Sequence, residues 1–131
     1  MKTLHDYTSE KQTELLETNG AFFAFSQSQL NERKVDGVTY VSMGSGLILP
    51  KDNAEKVLKG FALINDAGIA QDLAENGIKS IIHRELANYE AQITGDITDT
   101  FEALEDYGIT REQVSLEYKS FHQHCIDNDY F

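Results

Sequence analysis

Residues 78–95 read IKSIIHRELANYEAQITG, and the reading of the fold turns on this stretch. Ile78, Ile81, Ile82, Leu86 and Tyr89 recur at intervals of three and four, the period of a helix with one apolar face. Such a face has to be covered, because apolar surface left in water costs roughly 25 cal/mol per Å². The same helix carries His83, Arg84, Glu85, Asn88 and Glu90, the densest set of polar side chains in the chain. The Gly95-Asp96 step is expected to end it, near residue 92, and to start another.

Towards the C-terminus the sequence stays helical. Asp96 can cap a helix whose stripe is Ile97, Phe101 and Leu104, and Gly108 stops it. Thr110 and Gln113 stand at capping-box spacing. The helix they open would bury Val114, Tyr118, Phe121 and Cys125. Only about three residues join the helices on either side of Gly95, so those two should be neighbours. Gly95 should take a positive φ there.

Towards the N-terminus, Asn76-Gly77 marks a stop. Before it, Asp52 and Glu55 open a helical pattern through Val57, Leu58, Phe61, Ile64, Ile69 and Leu73, as one bent helix or two. Gly60 and Gly68 inside it cost up to about 1 kcal/mol each relative to alanine. AFFAFS (21–26), VTYVSM (38–43) and LIL (47–49) read as strands, the last two as a hairpin about GSG at 44–46. Both faces of the first strand should be covered, since Phe22, Phe23 and Phe25 cannot share one. Residues 26–34 form a short helix capped by Ser26. Residues 8–17 form another, capped by Thr8 or Ser9 and ended by Asn19-Gly20. The expected fold is α+β: a small antiparallel sheet of about three strands, within residues 21–49, packed on a bundle of helices, residues 52–127. No linker or repeat divides the 131 residues, so a single compact domain is expected.

The composition is that of a globular protein, 40% apolar and 25% charged. No segment approaches the ~20 apolar residues of a membrane span, and no signal-peptide pattern opens the chain. A cytoplasmic location is expected. Cys125 is the one cysteine, which excludes an internal disulfide. The net charge is −11, and it is unevenly spread. Residues 96–131 carry 2 basic and 9 acidic groups, net −7, while 1–50 and 51–95 each carry −2. Direct binding to nucleic acid is disfavoured, because phosphate contacts draw on Lys and Arg. A basic partner is favoured.

No motif commits the chain to chemistry. Residues 104–114 have the grammar of a helix-turn-helix, but the acidic setting makes two plain antiparallel helices the better reading. GSG lacks the helix and lysine of a phosphate loop. His122, His124 and Cys125 cluster near the end, yet zinc needs further ligands and no CxxC or HExxH is present. His83, Glu85 and Glu90 could form an acid–base set, but a solvated helix face with buried polar anchors explains them equally. Glu85 and Asn88 are expected to anchor the turn at Gly95, and no metal or other cofactor is expected.

Residues 84–114, RELANYEAQITGDITDTFEALEDYGITREQV, resemble a family of small uncharacterised acidic proteins of phages and mobile elements. GAFFAFS (20–26), GLILPKDNA (46–54) and FHQHCIDN (121–128) fit the same pattern. The resemblance implies an accessory gene, hence a host-cell cytoplasm, and by analogy an inhibitor of host defence, anti-CRISPR proteins included. The expected function is therefore a non-enzymatic interaction module that binds a basic or nucleic-acid-binding host protein, with imitation of nucleic acid as the mode of binding that the analogy suggests. Its contact groups would be Asp96, Asp99, Glu102, Glu105, Asp106, Glu112 and Glu117. The alternative is a small metal-dependent or acid–base enzyme using the His83, Glu85, Glu90 set or the His122, His124, Cys125 cluster. A homo-oligomer is compatible with either.

Overall fold

The computed structural model describes all residues, 1–131. Helix α1 (Leu4–Thr18) leads into strand β1 (Phe22–Phe23), helix α2 (Gln27–Arg33) and strands β2 (Tyr40–Ser42) and β3 (Leu47–Pro50). A 3₁₀ turn, Lys51–Asn53, opens onto the long helix α3 (Ala54–Asn88). Helices α4 (Ala91–Thr94) and α5 (Thr98–Leu104), a second 3₁₀ turn (Glu105–Tyr107) and helix α6 (Arg111–Asn128) complete the chain. The fold is α+β, with one three-stranded antiparallel sheet of order β1-β3-β2. Two units form, residues 2–68 and residues 69–131 with Met1, and the division falls within α3.

The hairpin pairs Tyr40 with Pro50 and Ser42 with Ile48, and β1 adds to the other edge of β3. Only Phe22 of its aromatic run is buried; Phe23 and Phe25 are exposed and stack on each other, ring centroids 6.4 Å apart. The expectation that both faces are covered there is corrected. Pairing ends after two residues because Ser26 immediately caps α2, accepting from the Gln29 N–H.

Helix α1 begins earlier than expected. Thr3, and neither Thr8 nor Ser9, is its cap: the Asp6 N–H donates to Thr3 Oγ1, and Asp6 Oδ2 accepts from the Thr3 N–H at 2.8 Å. Thr8 is instead buried within the helix, its hydroxyl donating to the Leu4 carbonyl at 3.0 Å. The buried side of Thr8 meets Gly68. A Cβ built on Gly68 would lie 2.5 Å from Thr8 Cγ2, and one on Gly60 would lie 2.6 Å from Leu15 Cδ2. The two glycines, a liability when read as helix residues, are where α1 lies hard against α3. The Asp52–Glu55 capping box is not formed; residues 51–53 make the 3₁₀ turn, which has no side-chain cap.

Residues 54–76 are one continuous helical run, broken at Gly77 with φ 77° and ψ 157°. After the break the core-facing residues are Ile81, Ile82 and Leu86, all fully buried. Ile78 and Tyr89, at the two ends of the expected stripe, are exposed. The helix also ends at Asn88, short of residue 92, because Glu90 takes a left-handed conformation, φ 53°. Gly95 has φ 71°, as its place between α4 and α5 requires. Thr110 and Gln113 form the capping box of α6, and Val114, Phe121 and Cys125 are buried beneath it with Tyr118 half-buried. Ala91, Leu104 and Ile109 join them in one apolar core.

Candidate functional site

Three groups of chemistry-bearing side chains stand out in the unit of residues 69–131. The first is buried. Asp72 lies one helical turn from Ile69, on the face of α3 that the core covers, and is fully inaccessible. Arg84 meets it with both ends of its guanidinium: Nη1 to Oδ1 and Nη2 to Oδ2, each at 2.9 Å. Tyr107 donates its hydroxyl to Oδ2 at 2.6 Å, and Asn76 Nδ2 donates to Oδ1 at 2.8 Å. Every lone pair of this carboxylate has a use. Burial alone would push the Asp72 carboxyl up, but the hydrogen bonds from Arg84, Tyr107 and Asn76 outweigh it and hold the group below its ordinary value. Burial pulls the Arg84 guanidinium down, and Asp72 and Glu85 more than reverse that, so it stays charged. The Tyr107 hydroxyl is pushed up, by burial first and then by its hydrogen bond to Asp72 and the charge there. Arg84 Nε donates to Glu85 Oε1 at 2.9 Å, Asn88 donates to Oε2, and the Thr100 hydroxyl donates to the Glu85 carbonyl. The Glu85 side chain thus binds Arg84 and Asn88 on its own helix and not the turn at Gly95, the anchorage expected of it, and it is the Glu85 backbone carbonyl that ties α3 to α5.

The second group is His83 and Glu117. His83 Nε2 lies 2.8 Å from Glu117 Oε2, and the imidazole meets the Phe121 ring edge-on at 5.8 Å. The acid facing His83 is therefore on α6, four residues before Phe121, and is neither Glu85 nor Glu90. Glu90 is exposed at its left-handed position, and Glu85 belongs to Arg84. The expected acid–base set does not converge. Nor does the His122, His124, Cys125 cluster: Cys125 is buried and its thiol is pushed up by burial, His122 stacks on Tyr118, and His124 Nδ1 accepts from the Asn128 amide. No group of three or more His, Cys, Asp or Glu side chains is placed to hold a metal ion.

The third group is the acidic surface. Asp96, Asp99, Glu102, Glu105, Asp106 and Glu112 are all exposed and none makes an ion pair. Glu117 is half-buried and held by His83. Asp96 also has a local duty. It accepts from the Thr98 N–H at 2.9 Å, which holds its carboxyl below the ordinary value.

Asp72 and Tyr107 are the residues that reading the sequence missed. The signal was there: an aspartate standing on the Ile69–Leu73 face, four residues ahead of an asparagine and twelve ahead of an arginine.

Residues 4–124 match a family of unknown function, DUF7659. The chain belongs to that family. The match spans α1 to most of α6, so the buried hub, the His83–Glu117 pair and the acidic surface all lie within the family's extent. No curated protein is significantly similar to this DUF7659 member, and no solved structure matches it. No helix is long and apolar enough to cross a membrane.

Proposed function

We propose that the chain is a non-catalytic interaction module whose acidic face, residues 96–112, docks on a basic partner protein. One observation carries this reading: six carboxylates within seventeen residues are exposed and in no close ion pair, although the same unit matches its buried charges closely. Charge used for stability is here paired and covered. Unpaired charge at the surface raises the rate at which an oppositely charged partner is found. The resemblance to proteins of phages and mobile elements supports a narrower form. In that form the partner is a nucleic-acid-handling host defence protein, and the carboxylates stand in for phosphates.

The test uses Glu102→Gln, Glu105→Gln and Asp106→Asn together. Parent protein immobilised at low salt should retain a stoichiometric basic protein from host-cell extract and release it as salt rises. The neutralised variant should fail to retain it while melting like the parent. Equal retention by both, or a complex indifferent to salt, rejects the reading.

A further inference from the structure

A groove of about 460 Å³ runs between the 78–88 segment of α3 and α6. That volume is within the range of small-molecule sites, roughly 300–1,000 Å³. Ala87, Phe121 and Tyr130 give it apolar walls. Lys79, Arg84 and His124 supply its charged or polar lining, with His83 and Ser80 beside them. No aspartate or glutamate lines it. That is the telling feature, because this unit carries 13 acidic residues against 4 lysines and arginines, and two of those four are at the groove. The acids that meet its Arg84 and His83 are turned to those two side chains. Asp72 and Glu85 bind Arg84, and Glu117 binds His83 Nε2.

Lys79 makes no ion pair. With Asn128 Nδ2 donating to His124 Nδ1 at 3.2 Å, the His124 proton lies on Nε2, leaving that nitrogen a donor. The groove therefore combines an ammonium and an N–H donor with aromatic walls. We propose that it binds a small organic anion, a carboxylate carried on a flat aromatic body. The ring lies between Phe121 and Tyr130 and the carboxylate meets Lys79. This is separate from the acidic face, which would repel such a ligand.

The probe is 2-naphthoate, compared with the uncharged 2-naphthamide of the same shape, and binding is read from backbone amide NMR shifts. Naphthoate should give saturable shifts confined to residues 79–87 and 121–130. Naphthamide should bind at least about tenfold more weakly, and Lys79→Gln should weaken naphthoate by a similar factor. Lys119→Gln, exposed and outside the groove, should leave binding unchanged. Amide or acid binding equally well overturns the proposal, as does a lack of saturation or shifts scattered over the surface.

Discussion

The two units hold themselves together by different means. Residues 69–131 bury a continuous apolar core of nine residues and set a fully hydrogen-bonded ion pair beside it. Residues 2–68 bury only Phe22, Leu49 and Val57 among their apolar side chains and leave Phe23, Phe25, Val35, Val38, Leu58 and Leu63 in water. What the smaller core lacks in volume is offset in part by proximity, since α1 approaches α3 at two glycines. The charge differs too: 7 basic and 9 acidic groups, net −2, in residues 2–68, against 4 and 13, net −9, in the rest. The better-packed unit is the one that carries the repulsive charge. A buried side chain contributes about 1.5–3 kcal/mol, so a nine-residue core has room for surface groups that do nothing for stability. A three-residue core has little.

The largest break in this contrast should come at Asp72. Asp72→Asn keeps the shape but removes the charge that meets both ends of the largely buried Arg84 guanidinium, leaving it the Glu85 carboxylate as its other ion-pair partner. Breaking a buried pair in this way costs about 3–5 kcal/mol. Thermal melts should show the loss. A variant within about 1 kcal/mol of the parent would mean that Glu85 alone satisfies Arg84 and that the hub is no anchor.

Gly68→Ala probes the other unit. The added methyl meets Thr8 Cγ2 at 2.5 Å and Leu4 Cδ1 at 3.2 Å, so α1 has to move or tilt. Overpacking of this kind costs about 1–3 kcal/mol, against the gain of at most about 1 that alanine brings to an ordinary helix position. Hydrogen exchange would place the damage: amides of α1 should lose protection while those of α6 keep theirs. Faster exchange in α6 alone would show that the glycine approach does not support α1.

These two sites also show what could be read before the structure. The pattern of 81, 82 and 86, the Thr110 capping box, the Gly95 turn and the hairpin are local signals, set by period or by one or two residues. They appear as read, except that Gly95, though its φ is positive, ends α4 and not the helix of residues 78–88. The strand at 21–26 was misjudged because aromatic residues favour strands without saying whether a second layer exists to cover them. Gly60 and Gly68 were visible but their meaning was not, since close approach depends on which helix lies opposite. Asp72 was hidden for the same reason. Its partners stand 12 and 35 positions away, and only the fold brings Arg84 and Tyr107 to it. The acidic tail was legible as composition, but that Glu117 belongs to His83 was not.

Acid should weaken the 69–131 unit through Asp72. Its carboxyl is held below the unfolded value of 3.8, so its contribution is complete above that pH. The contribution is lost as pH falls through the native value, because the unfolded chain then binds the proton first. Tyr107 works in the opposite direction. Its pKa is raised above the ordinary 10.0, so its contribution is complete below pH 10 and lost as the pH rises further. Parent protein should show stability falling at both extremes. In Tyr107→Phe the alkaline loss should shrink, and an unchanged alkaline limb would deny Tyr107 its role.

The smallest effect expected is the most informative about function. Glu102, Glu105 and Asp106 sit in and just beyond the last turn of α5, where the carbonyl end of a helix disfavours negative charge. They are exposed and unpaired. Neutralising all three should change stability by no more than about 0.5 kcal/mol, and in the stabilising direction. Residues held where they weaken the fold slightly are explained by a use outside it. A clear loss of stability on neutralisation, read as a melt several degrees below the parent, would return these carboxylates to the fold and leave the binding proposal without its main support.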